Sequence, residues 1–237
     1  MRWFAALAIV TLVVAGSAAA TLMLTGASPS ATVTGYVPAD SVMYGEVRLD
    51  LPGDQKRAIG EFLSKFPGFA DQAALDTKLD EVLDRLVSDA TDGEQTFTAD
   101  IKPWFDGEMA FAVGPVPQVA AQATPEAMAG AARGLLLMSI KDEALARTWF
   151  DGVMSGSGVQ GTAESYAGVE LLVFTDPGMP GLEAAFAIVD GKVALAGDVA
   201  SVKAAVDTDG DNGLAASPDF LAANDAIDGD HVGYLYV

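Results

Sequence analysis

Cysteine is absent from this chain, and histidine occurs once, at His231. Disulfide frameworks, Cys/His zinc sites, thiol nucleophiles and cysteine-linked haem all need side chains that are missing. Basic residues are scarce too: 13 stand against 33 acids, for a formal charge of −20 at pH 7. Such a surface repels phosphate backbones, so binding nucleic acid through a basic patch is excluded. The glycines form no G-x-G-x-x-G after a strand and no phosphate-binding loop with lysine, and there is no G-x-S-x-G elbow. What is present is an apolar content of 51% in 237 residues, which fits a packed globular protein rather than a disordered one.

The first feature to set apart is the uncharged run Phe4–Leu24. At about 1.5 Å per residue it would span about 30 Å as a helix, the thickness of a bilayer core. Arg2 precedes it and the next basic residue is Arg48, so the charge bias places the N-terminus in the cytoplasm and the remainder outside. Two readings share that outcome. Continued hydrophobicity through Leu22, Met23 and Leu24 favours an uncleaved anchor, whereas Ala18-Ala19-Ala20 offers a cleavage site for a removable signal peptide. Residues 1–24 are therefore expected to be a transmembrane anchor or signal peptide. Residues 25–35, small, polar and uncharged, are expected to be a flexible tether, and 36–237 an extracytoplasmic domain.

Within that domain the periodicity alternates between strand and helix. Val42–Leu49 reads as a strand. Gly53-Asp54 opens a helix with Ala58, Ile59, Phe62, Leu63 and Phe66 on one face, closed by Pro67. Leu75, Leu79, Val82, Leu83 and Leu86 form the apolar stripe of a second helix. Trp104 and Phe105, expected in the core, precede an Asp106-Gly107 turn and a strand bearing Met109, Phe111 and Val113 on one face. Gly114–Arg133 is rich in Pro and Ala and reads as a loop or a short helix; Leu135–Ile140 is an apolar strand. Asp142 caps a helix burying Leu145, Trp149, Phe150 and Val153. Two hairpins follow, turning at Ala167-Gly168 and at Asp190-Gly191; the second is the strongest hairpin signal in the chain. Asp198 caps the helix Val199–Val206, Ser217-Pro218 starts another, and Val232–Val237 is a final strand. The sum is an α+β fold of about eight strands and five or six helices, with a largely antiparallel sheet.

The final strand echoes the first. Asp230-His231-Val232-Gly233-Tyr234-Leu235-Tyr236-Val237 follows the pattern of Asp40-Ser41-Val42-Met43-Tyr44-Gly45-Glu46-Val47. A second related module is thus expected to start there, the chain being truncated at the beginning of a second repeat; the alternative is an edge strand that closes one domain.

No residue qualifies as catalytic, cofactor-binding or metal-ligating. Asp207-Thr208-Asp209-Gly210-Asp211-Asn212-Gly213 invites a calcium reading through its alternate carboxylates, but Asn212 stands where the template needs glycine and Pro218 where it needs glutamate. An acidic loop between helices is the expectation. His231 lacks companions for acid-base catalysis.

Tyr36-Val37-Pro38-Ala39-Asp40 leading to Tyr44 and Val47, the block Ile101–Glu108 before Ala110–Gly114, and the region Leu214–Tyr236 together resemble the bacterial domain-of-unknown-function family 3352. The resemblance covers nearly everything after the tether. It implies a membrane-anchored extracytoplasmic protein and carries over no functional residues. The leading functional expectation is a non-enzymatic cell-envelope module that meets the membrane through its N-terminal helix and a protein or other envelope partner through its body. A carboxylate-dependent hydrolase of envelope glycans and a secreted ligand-binding protein are the alternatives.

Overall fold

The structure is a computed structural model and describes residues 32–49, 61, 65, 75–115, 133–156, 161–175, 183–226 and 233–237. Expectations for the leader 1–24, the helix after Gly53, the loop between Gly114 and Arg133, and His231 fall largely or wholly outside these residues. No helix among the described residues is long and apolar enough to cross a membrane.

Eight strands form one antiparallel sheet, confirming the α+β expectation. They are β1 (Met43–Arg48), β2 (Phe105–Val113), β3 (Gly134–Ile140), β4 (Gly161–Tyr166), β5 (Val169–Thr175), β6 (Glu183–Val189), β7 (Val193–Asp198) and β8 (Gly233–Tyr236). Their order across the sheet is β4-β5-β6-β7-β3-β2-β1-β8. The helices are α1 (Leu75–Ala90), α2 (Glu143–Gly156), α3 (Val199–Asp207) and α4 (Pro218–Asp225), with 3-10 turns at Thr32–Tyr36 and Leu214–Ala216 and a π turn at Phe97–Ile101.

Both faces of the sheet are covered, which explains why the central strands are apolar on both parities. On one face Tyr44, Leu137, Leu171 and Leu195 pack with Val202, Val206, Leu214 and Phe220 and with Val33 and Val37 from the chain before β1. On the other, Met138, Ile140, Phe186 and Ile188 pack with Leu83, Val87, Ala146 and Met154 from α1 and α2. Trp104, 1% exposed, anchors this second core against Trp149 and Phe150, and its indole donates to the Asp100 carbonyl at 2.8 Å. Trp149 is half-buried, and its Nε1 is buried with no acceptor among the described residues.

Several local expectations are corrected. The folded body begins earlier than residue 36: Thr32–Gly35, expected in the tether, lie in the 3-10 turn Thr32–Tyr36, and Val33 is fully buried there with its apolar side chain in the first core. Asp106-Gly107 does not precede β2 but lies inside it, as an irregularity between Phe105 and Met109, with Gly107 at φ 103°. Ser139 fills the resulting gap in the ladder: its hydroxyl accepts from the Glu108 N–H at 2.8 Å and donates to the Glu108 carbonyl at 3.3 Å. The buried line of α1 runs through Leu83 and Val87, which pack in the second core with Phe97 of the π turn, while Val82 and Leu86 are exposed. On α2, Leu145 is exposed and the small, fully buried Ala146 takes its place in the second core. The two hairpin turns stand where expected, with positive φ at Ala167, Gly168, Asp190 and Gly191.

Candidate functional site

Among the described residues, the sheet carries a buried cluster of charge beneath the 3-10 turn Thr32–Tyr36. Tyr44, Glu46 and Arg48 alternate along β1 and so share a face, and the ladder sets Glu108 of β2 opposite Arg48. Glu46, Arg48 and Glu108 are 6%, 5% and 7% exposed. Burying carboxylates and a guanidinium is costly unless each is paired and hydrogen-bonded. Here they are. Arg48 Nη2 lies 3.1 Å from Glu108 Oε1, while Glu108 Oε2 accepts from the backbone N–H groups of Thr32 at 2.7 Å and Val33 at 3.4 Å.

Glu46 is the second acceptor. Its Oε2 receives the Tyr44 hydroxyl and, at 3.3 Å, the Thr34 hydroxyl, which also lies 2.7 Å from the Tyr44 oxygen. The Tyr44 proton is committed to Glu46, so the single Thr34 proton is shared between the Tyr44 oxygen and Glu46 Oε2. Burial first, then the charge and hydrogen bond of Glu46, hold the Tyr44 hydroxyl well above its ordinary pKa. The cluster thus has donors and acceptors from three places: β1, β2 and the segment that precedes them. Chemically it is a latch, fixing the chain at Thr32–Thr34 to the sheet.

A second tyrosine ties the same segment to the far hairpin. The Tyr36 hydroxyl donates to Asp190 in the β6–β7 turn. Burial, then the bond and charge of Asp190, then the charges of Asp209 and Asp211, push its pKa well above the ordinary value. The acidic loop therefore packs on the 3-10 turn, and its carboxylates have separate partners and positions: Asp207 accepts from the Tyr166 hydroxyl at 2.8 Å, and Asp209 and Asp211 are exposed. Gly213 is required, since a Cβ there would lie 2.1 Å from the Gly35 carbonyl oxygen. Among the described residues no three His, Cys, Asp or Glu side chains converge on one point.

Two shallow clefts flank the sheet. One, of about 360 Å³, is lined by Pro38, Asp40, Ser41, Arg133, Leu135 and Ser201 among others. Its arginine is engaged: Arg133 lies 3.7 Å from Asp198, which accepts from the Ser201 and Gly134 N–H groups. The other, of about 350 Å³, has Leu49, Phe97 and Phe105 in its walls and Lys102 at its rim, the latter 2.6 Å from Asp80. Both stand at the small end of ligand pockets. Neither Glu46 nor Glu108 lines either cleft.

Against this geometry, the family model described as "Protein of unknown function (DUF3352)" matches residues 4–237. The chain belongs to this family. The match takes in the apolar run from Phe4 as well as the whole described body, so that run and the sheet are both part of the DUF3352 pattern. No curated protein and no solved structure matches the chain.

Sequence reading missed the buried cluster. Its only trace was the parity of Tyr44, Glu46 and Arg48, which by itself describes a strand with one face in water. Val33 and Val37 just upstream are the one hint that this segment folds back over the sheet, but nothing local in the sequence pairs it with Glu108.

Proposed function

We propose that this DUF3352 protein is a cell-envelope module: residues 1–24 engage the cytoplasmic membrane, and the acidic α+β body is displayed outside it as a non-enzymatic interaction domain. The observation that carries the reading is the uncharged run Phe4–Leu24 behind Arg2, long enough for a bilayer core. Its inclusion in the family match supports treating it as an integral element of the protein. The latch at Glu108 supports a short connection. With Thr32 held on the sheet, Thr25–Ala31 at about 3.5 Å per residue keeps the body within about 25 Å of the bilayer surface.

The hydrolase alternative draws no support from the buried glutamates, which accept hydrogen bonds from protein groups and lie away from both clefts. Topology is tested by fusing the C-terminus to paired reporters, one active only outside the cytoplasm and one only inside. Activity of the outer reporter, with the chain in the membrane fraction at full length, is the expected result. A mature chain starting at Thr21 in the medium would favour the secreted ligand-binding alternative, and full-length chain in the soluble interior would overturn both.

A further inference from the structure

The cleft of about 360 Å³ runs across one end of the sheet, from the start of β1 past β2 and β3 towards the first turn of α3. The backbone sets its course. The Val42 N–H donates to the Val113 carbonyl at 2.8 Å, the Gly114 N–H to the Arg133 carbonyl at 3.2 Å, and the Gly134 N–H to the Asp198 carboxylate at 2.9 Å. Its floor is apolar and built largely from small side chains, Ala112 and Ala204 beside Leu135, so the space between the walls is left open.

The polar groups of the cleft are unequally used. A turn closed by the Ser41 N–H on the Pro38 carbonyl, at 3.1 Å, places Asp40 and Ser41 in one wall. Ser41 is only 8% exposed, yet its hydroxyl has no hydrogen-bond partner among the described residues. A hydroxyl so nearly buried is ordinarily satisfied, and the exposure left to Ser41 opens on the cleft it lines. Asp40 beside it is exposed and forms no ion pair among the described residues. Arg133 stands two strands away, about 10 Å along the sheet, and its charge is met by Asp198 at 3.7 Å. What the cleft offers a visitor is therefore one carboxylate and one hydroxyl above an apolar floor. The field of a chain carrying −20 draws cations to such a place and repels anions.

We propose that this cleft binds a primary ammonium group carried on an alkyl stem: the ammonium donates to the Asp40 carboxylate and the Ser41 hydroxyl oxygen, and the stem lies on Ala112, Leu135 and Ala204. A free alkylamine and a lysine side chain of another protein share this chemistry. The site holds in whichever compartment the body resides. It also separates binding from folding, because the Ser41 hydroxyl contributes no hydrogen bond to the fold.

The test titrates pentylamine and Nα-acetyl-lysine methylamide into the full chain in nonionic micelles, with binding read residue by residue from amide NMR shifts. Pentanol and hexanoate present the same stem without the ammonium. Shifts at Ser41, Gly114 and Ala204 with the two amines are the expected result, pentanol and hexanoate binding about tenfold more weakly. Asp40→Asn should weaken the amines about tenfold and Ser41→Ala about fivefold, while Asp209→Asn, an equal change of charge on the acidic loop, leaves them unchanged. Ser41→Ala should lose this affinity with its thermal midpoint unchanged or raised, which a structural role for the hydroxyl would not allow. Tighter binding of pentylamine marks a free amine as the ligand and tighter binding of the lysine derivative a protein side chain; either supports the site. No shift at about 10 mM amine overturns it. So does pentanol binding as well as pentylamine, hexanoate binding more tightly than either amine, or affinity untouched by Asp40→Asn.

Discussion

At the scale of single residues, Tyr44 is the side chain whose chemistry is most altered by the fold. Its hydroxyl is buried and donates to Glu46, so ionising it would place a second negative charge beside a carboxylate. The unfolded chain has no such obstacle and loses the proton near pH 10. Because the folded pKa is raised, the contribution is complete below pH 10 and is lost as pH rises through the folded value. Stability should therefore fall above pH 10, by about 1.4 kcal/mol per pH unit for each tyrosine that keeps its proton when folded. Tyr44→Phe separates this from the hydrogen bond itself. At pH 8 the variant should be less stable by about 2 kcal/mol, the scale of a bond to a charged acceptor. Between pH 10 and about 12 the difference should shrink by about 1.4 kcal/mol per unit, since only the wild type pays the ionisation penalty. Urea unfolding across that range checks it; parallel stability curves would show that the hydroxyl titrates alike in both states.

Between elements, the decisive contact is Glu108 of β2 on the 3-10 turn. One carboxylate serves two backbone donors and one guanidinium, so deleting it leaves Arg48 buried beside N–H groups that have lost their acceptor. Glu108→Ala should cost about 3–5 kcal/mol, the usual range for breaking a buried pair. The loss should be local first: amides of Thr32 and Val33 should exchange at near the unfolded rate while those of β5 to β7 stay protected. A double variant, Arg48→Met with Glu108→Leu, should recover part of the cost, because it removes the buried guanidinium together with the carboxylate that pairs with it. Strict additivity of the two single changes would mean that the pair is not coupled. This contact also marks how far sequence reasoning reached. The hairpins were legible because Ala167-Gly168 and Asp190-Gly191 encode their turns within two residues, and Asp198 announced α3 by accepting from the Ser201 N–H. The latch was not legible because it depends on a pairing between residues such as Thr32 and Glu108, far apart in the chain, that no local pattern encodes. The reversal at Asp106-Gly107 misled for a related reason: a positive-φ glycine signals a change of direction equally for a turn and for a bulge, and only the partner strand with Ser139 distinguishes them.

For the whole molecule, the governing quantity is the charge of −20. Two salt effects oppose each other. Added salt weakens exposed ion pairs such as Lys78–Glu81, Arg147–Glu143 and Lys203–Glu164, each worth about 0–1 kcal/mol at most. It also screens repulsion among the uncompensated carboxylates, which are far more numerous and are brought closer by folding. The buried Arg48–Glu108 pair is little affected, being shielded from ions. Repulsion should win, so the urea midpoint is expected to rise as NaCl increases from about 0.02 to 0.3 M, where the Debye length falls from about 20 Å to about 6 Å. The rise should level off once that length is shorter than the spacing of surface charges. A further linear increase at higher salt would be a general ion-exclusion effect on buried area, and a series at matched osmolality in sucrose separates the two. A midpoint that drops with salt would mean that the few surface pairs outweigh the excess of acids, and the body would then have to be understood as held together by its charges rather than in spite of them.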